Sequence, residues 1–486
     1  MELNPENCYQ AMLSHDTRFD GRFFGGVTTT GIYCRPVCRV TPPRFENVRW
    51  FAYAAAAEAA GFRPCRRCRP ESAPGTPAWI GSSALVSRAL RLIDEGALDD
   101  TDLENFSARL GVGSRHLRRL FAEHLGASPV AIASARRTHF AARLIEETAL
   151  PFTEIAFAAG FGSIRQFNGA MRATFAQAPT EIRQRTGLKT ALKQNQSSAS
   201  ALTLRLPYRP PLDWARMSGF LQARAIPGVE HVNDTAYRRT IQINGQAGVI
   251  ELQHVVDAAH LLLRAWLPEH APIMQVVERA RRIFDLSAEP QLIHEHLRRD
   301  AVLADAVDAA PGLRVAGAWD AFELSVRAVL GQQVSVVAAR TLASRFAAAF
   351  GESFNSPFAK LTTVFPTPEN IAARDASELT ALGILPKRAQ TILALARALS
   401  SNELTLTPAA DPTATIEQLQ QIAGIGAWTA HYIAMRALSW PDAFPHTDLG
   451  VMKALNEKNP KRVLQAGEAW RPWRAYAVMY LWLKEN

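Results

Sequence analysis

The chain has 486 residues, too many for one ordinary hydrophobic core, so two to four domains are expected. Its 48% hydrophobic and 20% charged content is that of a globular protein, and the absence of any uncharged apolar run of about 18 residues argues against a membrane span. The formal charge is +9, with 24 Lys/Arg against 18 Asp/Glu in residues 1–190 and 30 against 27 beyond; this suits attraction to nucleic-acid phosphate and equally fits an ordinary basic protein. Glu2 and Glu6 open the chain and no basic-then-apolar leader follows, so a cytoplasmic location is expected.

Two composition breaks set the domain boundaries. Residues 69–77 are rich in Pro and Gly, residues 194–200 are polar and featureless, and both read as linkers. Before the first break, Cys34, Cys38, Cys65 and Cys68 form a C-x3-C and a C-x2-C pair. Two such pairs can supply four thiolates to one tetrahedral Zn2+. Disulfides are the alternative, disfavoured in a reducing cytosol. Cys8 stands apart as a plain thiol.

The wording around these pairs, Thr29 to Cys38 and Gly61 to Cys68, resembles the zinc domain of the Ada family of alkylation-response regulators over roughly residues 1–75. The resemblance implies that Cys34 accepts a methyl group from a DNA phosphotriester. Four thiolates on Zn2+ carry a net charge of −2, which keeps the sulfurs nucleophilic. Methylating one sulfur makes the cluster −1, reducing its repulsion from phosphate, so DNA binding would tighten. Arg35, Arg39, Arg66, Arg67 and Arg69 either face phosphate or balance the anionic cluster.

Residues 80–188 read as an all-α domain holding two helix–turn–helix units. Leu103, Phe106 and Leu110 lead through Gly111-Val112-Gly113 into a helix capped by Ser114; Ile155 to Gly162 leads into a second, capped by Ser163. Arg115, Arg165 and Gln166 are the candidate DNA-contacting side chains. The tandem resembles the AraC-type regulator domain, which implies promoter DNA and RNA polymerase as partners.

Residues 202–252 read as strand-like, with an Asn244-Gly245 hairpin signal, and the pattern turns helical from about 254. Leu419 to Ala430, containing Gly424-Ile425-Gly426, is a helix–hairpin–helix signature. Its glycines allow a tight turn and leave amides to face a DNA phosphate. Twenty residues beyond Trp428 stands Asp448, whose plain alternative role is to cap the helix before Val451.

This spacing, with Arg327 to Ser335 and Trp470 to Tyr476, resembles the AlkA-type DNA-3-methyladenine glycosylase II over about 202–484. The resemblance implies an α+β lobe at 201–310 and a mainly α catalytic domain at 311–486, acting on alkylated double-stranded DNA. It makes Asp448 the catalytic aspartate and Trp428, Tyr432 and Trp482 the base pocket, although such aromatics often only fill core. Trp428 stands where strand-cleaving relatives carry a Schiff-base lysine, so a monofunctional glycosylase is expected. Gln333 departs from the family's apolar residue that wedges into the gap left by a flipped nucleotide.

The expected protein is therefore multidomain: a small α/β zinc domain, a tandem helix–turn–helix domain, an α+β lobe and a helix–hairpin–helix domain. No cysteine follows Cys68, so a module removing alkyl groups from guanine O6 is not expected. The rival reading is a transcription regulator whose glycosylase-like half only binds DNA without catalysis and whose zinc site is purely structural.

Overall fold

The computed structural model describes residues 3–74, 84–99, 101–185 and 201–484. The chain forms two compact units, Met1–Pro210 with Asp257–Glu278, and Pro211–Val256 with Arg279–Asn486. It is a multidomain, mixed α/β and mainly helical protein. Among the described residues, no helix is long and apolar enough to cross a membrane.

The first unit opens with a four-stranded sheet of order β3-β1-β2-β4, built from β1 (Phe24–Val27), β2 (Ile32–Cys34), β3 (Val48–Phe51) and β4 (Arg63–Pro64). β1 runs antiparallel to β2 and β3, and β2 parallel to β4. Phe24, Tyr33, Ala57 and Phe62 form its small core. A core of this size suits a module with a metal staple, because so few buried side chains hold a fold weakly.

Two similar helix pairs follow. In the first, Leu103–Arg109 and Ser114–Leu125 bury Leu103, Phe106, Leu117 and Phe121; in the second, Phe152–Ala158 and Ile164–Phe175 bury Ile155, Phe167 and Met171. A 19-residue helix, Pro129–Glu147, joins them. Ser163 caps as expected, accepting from the Gln166 N–H at 3.2 Å. Ser114 does not: Gly113 occupies the cap position and Ser114 is the first residue inside the helix. The Gly113 carbonyl opens the helix ladder instead, accepting from the Leu117 N–H at 3.1 Å, and no side chain caps this helix.

The stretch expected as the first linker is ordered at its start. Pro70–Ser72 forms a 3-10 turn, and Arg69, with φ +52, pairs with Glu71 and with Glu146 of the long helix. Nearby, Tyr33 Oη donates to Glu58 at 2.8 Å and His139 of the same long helix lies 2.6 Å from that carboxylate. The sheet module and the helical module thus share a buried polar seam. Residues 75–77 of that linker, and the whole second linker at 194–200, lie outside the described residues. At the unit's far end β5 (Leu202–Pro207) pairs antiparallel with β9 (His260–Trp266). Arg143 and Glu147 bond the carbonyl and N–H of Arg205 at 2.5 and 2.8 Å, satisfying backbone groups that an edge strand leaves open.

The second unit contains the antiparallel meander β6 (Glu230–Val232), β7 (Ala236–Ile243) and β8 (Gln246–His254). Asn244 and Gly245 have φ of +50 and +75, the both-positive geometry of a type I′ hairpin. Two sequence expectations are corrected. The strand-like run 202–252 is broken by a helix, Trp214–Arg224, because Asp213 caps it and Trp214, Met217, Ser218 and Leu221 bury one face. The helical pattern does not begin at 254, since His260–Trp266 alternates buried and half-buried residues as a strand.

The helix Ala321–Leu330, in which eight of ten residues are buried, packs against Val336–Phe350, Pro386–Ser400 and Ala427–Arg436. A buried charge network ties this helix to the meander. Arg239 pairs with Glu323 at 2.5 Å, Arg327 with Glu230 and Glu323 at 2.9 Å each, and Tyr237 Oη donates to Glu230 at 2.7 Å. Two arginines against two glutamates leave no net charge in the low-dielectric interior, the condition under which buried ions are tolerated.

Candidate functional site

The four cysteines come together. One ligand atom from each of Cys34, Cys38, Cys65 and Cys68 lies within 4.8 Å of the others, and all five cysteines of the chain are free thiols. No disulfide joins them, and four convergent sulfurs are the donor set of a tetrahedral zinc. β2 delivers Cys34, and the parallel β2–β4 pairing sets Tyr33 opposite Pro64, bringing the second cysteine pair alongside the first.

The sulfurs are not equivalent. The Arg35 N–H donates to Cys68 Sγ and the Arg67 N–H to Cys65 Sγ, both at 3.4 Å, and the Val40 N–H bonds Cys38. Among the described residues no backbone N–H donates to Cys34 Sγ. Exposure ranks them differently, since Cys34 is 5% exposed while Cys68 is the least buried of the set. Of the five arginines, Arg39, Arg66 and Arg67 are exposed. Arg35 turns inward to Asp20 and to the Cys68 carbonyl, and Arg69 pairs with Glu146. Those two are internal struts rather than parts of a phosphate-facing surface, because Arg35 finds its carboxylate inside the cysteine module and Arg69 finds one on the long helix of the helical module.

In the helical module Arg115, Arg165 and Gln166 are all exposed near the starts of Ser114–Leu125 and Ile164–Phe175. Gln166 is partly engaged, its Oε1 accepting from the Gly162 N–H at 3.1 Å.

The second unit gathers its candidates around Asp448. Trp428 Nε1 donates to Oδ2 at 2.7 Å and Trp482 Nε1 to Oδ1 at 2.9 Å. The Val451 N–H also donates to Oδ1 at 3.0 Å, so the helix-capping alternative is true of the same carboxylate. Trp428 stacks on Tyr432 with ring centroids 5.3 Å apart, and Trp482 lies 6.4 Å from Tyr432. All four residues are half-buried, open enough for a flat ligand to reach them.

Phe220 and Arg224 also line this cluster, and sequence reasoning misses them because they sit in the helix read as strand-like. Phe220 stacks on Trp482 at 6.3 Å, and the Arg224 guanidinium lies 3.8 Å from the Phe220 centroid. Arg436 donates to Tyr432 Oη at 2.7 Å. Burial pushes the Tyr432 phenol up, but the charges of Arg436 and Arg224 more than offset this and hold it below its ordinary value. The signal that could have found them is the Phe220/Arg224 pair at i, i+4 on one helix face.

Of the two hairpin glycines, only Gly424 needs to be glycine for its backbone, with φ +93. A Cβ there would come 2.1 Å from Thr391 Oγ1. Gly426 has φ −87 and open space where a Cβ would stand; the expectation that both glycines serve the turn is corrected. Gln333 is exposed with φ +53.

Comparison with known proteins agrees with this arrangement. Family models match residues 7–71 as the metal binding domain of Ada, 106–185 as a helix-turn-helix domain, 203–320 as the AlkA N-terminal domain, and 326–462 as the HhH-GPD superfamily of base excision DNA repair proteins. The Escherichia coli "DNA-3-methyladenine glycosylase 2" is 37% identical over 285 residues, covering 58% of this chain and 97% of its own length. A solved 3-methyladenine DNA-glycosylase from Archaeoglobus fulgidus superposes with TM-score 0.51 at 23% identity, over 57% of this chain and 97% of that one, a likeness of fold. A Mycobacterium tuberculosis protein described as "Probable bifunctional transcriptional activator/DNA repair enzyme AlkA" is 43% identical over 482 residues, 98% of this chain and 96% of its own. With the metal-binding, helix-turn-helix and glycosylase modules in the same order along nearly its whole length, the chain belongs to the family of AlkA bifunctional transcriptional activator/DNA repair enzymes.

Proposed function

We propose that this chain repairs alkylated DNA and regulates the response to it. Its helix–hairpin–helix half is a DNA glycosylase that releases alkylated bases such as 3-methyladenine and leaves the strand uncut. The observation that carries this reading is Asp448, held through both oxygens by the indoles of Trp428 and Trp482 at the edge of an aromatic cluster.

The flipped base enters against Trp428, Tyr432 and Trp482, where stacking and cation–π attraction favour a positively charged purine. The C1′–N bond breaks and its electron pair leaves with the base, neutralising it, so little proton donation is needed. Positive charge develops on the sugar, where the Asp448 carboxylate stabilises it. Water then adds to C1′, and Asp448 orients that water and takes its proton. Trp428 offers no amine, so no Schiff base forms and the product is an intact strand with an abasic site. The exposed Gln333 fills the gap left in the duplex. The hairpin at Gly424 and Gly426 binds a phosphate through its amides.

In the first unit Cys34 is the methyl acceptor. Its sulfur lone pair forms the S–CH3 bond while the methyl–oxygen bond of the phosphotriester breaks, and that electron pair restores the diester. The bound Zn2+ would be held by Cys34, Cys38, Cys65 and Cys68 and keep their sulfurs ionised. Exposure would favour Cys68, but the lone pair of Cys34 is the one unengaged by a backbone N–H, and hydrogen bonding weakens a thiolate nucleophile. The transfer is a single turnover. Arg115, Arg165 and Gln166 of the helix–turn–helix module bind promoter DNA, and the methylated protein activates transcription with RNA polymerase.

Replacing Asp448 with Asn tests the enzyme. Release of 3-methyladenine and 7-methylguanine should fall by about 10²-fold or more, with DNA affinity kept. Unchanged release would overturn the mechanism and leave the DNA-binding regulator. Mass spectrometry after incubation with methylated DNA tests the acceptor: a methyl group on Cys34 is expected, and one on Cys68 instead would reverse the assignment.

A further inference from the structure

Gln332 stands between Gln333 and the hairpin, and both protons of its side-chain amide nitrogen are engaged. Its Nε2 donates to the Gly424 carbonyl at 2.9 Å and to Thr429 Oγ1 at 2.9 Å. A carbonyl only accepts, so the amide nitrogen must face Gly424, and two N–H groups meet two acceptors. Arg388 Nη2 in turn donates to the Gln332 carbonyl. Beside the hairpin, Thr391 Oγ1 lies 2.8 Å from the Ala423 carbonyl and 2.9 Å from the Lys387 carbonyl, its one proton shared between them. Consecutive hairpin carbonyls are therefore tied inward, and because N–H and C=O point oppositely across a trans peptide, the Gly424 N–H points outward.

The same side chain reaches the reacting end of the site. Thr429 is 2% exposed and follows Trp428, whose indole holds Asp448. Gln333, next to Gln332, is exposed and in a left-handed backbone conformation that a glutamine adopts at a cost. Such a conformation persists where neighbouring contacts over-determine it, and the three hydrogen bonds on Gln332 supply them.

We propose that Gln332 is a positioning residue: it locks Gln333 to the hairpin and to Thr429, so that insertion of Gln333 into the duplex is rigidly coupled to the Trp428–Asp448 pair. The inference rests on Gln333 as the residue that fills the gap behind a flipped base. Opening a paired duplex costs a few kcal/mol, and a brace matters only when that cost has to be met. An alkylated base that is already unpaired should not need it.

The test uses the full chain with a site-specific 7-methylguanine placed either opposite cytosine or opposite an abasic analogue. Q332L keeps the bulk of the side chain and removes its donors. Its single-turnover release should fall by about 10²-fold on the paired duplex, the loss typical of a mispositioned group. On the unpaired duplex release should stay within about threefold, with affinity for both duplexes unchanged. T429V, which removes one of the two acceptors, should show the same pattern more weakly, and T429S should restore the wild-type rate. Equal loss on both duplexes would mean that Gln332 is merely structural and would overturn the proposal. Q333A separates the two levels. If Q333A releases base from the paired duplex at the wild-type rate, the gap-filling reading fails; if Q333A is impaired there and Q332L is not, the brace alone fails.

Discussion

The cysteine cluster and the Asp448 site are built in opposite ways. The first takes its four ligands from 35 residues of chain, Cys34 to Cys68, on two short pairs fixed by one parallel strand contact. The second draws Phe220, Trp428, Tyr432, Asp448 and Trp482 from helices and loops spread over more than 260 residues. The metal centre is legible from spacing, because each short cysteine pair closes a small loop around the ion. The proposed base pocket is specified by packing, so it depends on every element that holds its walls. The two should therefore fail differently.

The largest effect is expected at the cluster. Replacing Cys38 or Cys65 with Ser should abolish zinc retention, read as metal per chain by atomic emission. Because structural zinc supplies folding free energy on the order of 10 kcal/mol, residues 1–74 should become protease-sensitive. Release of 3-methyladenine by the second unit should be unaffected, and a parallel loss would erase the distinction between the two sites.

The pocket should fail from a distance. Arg327 pairs with Glu230 and Glu323, donates to the Arg224 carbonyl at the end of the helix carrying Phe220, and acts on the Tyr432 phenol through its charge. R327M would leave two buried carboxylates facing Arg239 alone, a change worth about 3–5 kcal/mol. Denaturant unfolding of the second unit should register that loss, and base release should fall with it. Stability within about 1 kcal/mol of wild type would show the network to be dispensable.

How much of this was legible in sequence follows the same division. The four ligands, Ser163, the Asn244-Gly245 turn and the Gly424 hairpin are local patterns and can be read from their neighbours. Arg35 and Arg69 were ambiguous because nothing local says whether an arginine beside an anionic cluster faces out or in; the carboxylates of Asp20 and Glu146 decide it from elsewhere in the fold. Asp448 and its tryptophans are recognisable by resemblance, yet their mutual hydrogen bonds are tertiary. Phe220 and Arg224 were lost for a different reason. Their helix lies between true strands, and the alternation on either side masked its 3.6-residue period.

His431 gives the comparison a pH axis, since it lies behind the loop that presents Asp448. Burial, followed by the charges of His446 and Arg474, pushes its imidazole down to about 4, and its Nδ1 accepts from the Phe444 N–H. In the unfolded chain the pKa is about 6.5. Between those values the unfolded state binds a proton that the folded state does not, so stability rises with pH. The contribution is full above pH 6.5 and is lost as pH falls toward 4, at most about 3 kcal/mol. H431F should flatten that part of the stability profile, with the melting temperatures of wild type and variant converging at low pH. An unaltered slope would place the acid sensitivity elsewhere.

The finest distinction lies within the hairpin. Gly424 and Gly426 look alike in sequence, but one is required by the backbone and the other is not. G424A forces an alanine to φ +93 and its Cβ toward Thr391; strain of roughly 1–2 kcal/mol should lower the melting temperature and DNA affinity together. At Gly426 the added methyl meets nothing in the protein, so the melting temperature should hold. In the proposed reading a DNA phosphate approaches the start of Ala427–Arg436, where the added methyl would stand. G426A should therefore weaken DNA binding and flatten its salt dependence while leaving stability alone. Wild-type affinity in G426A would move the phosphate contact away from this helix start and onto the Gly424 N–H.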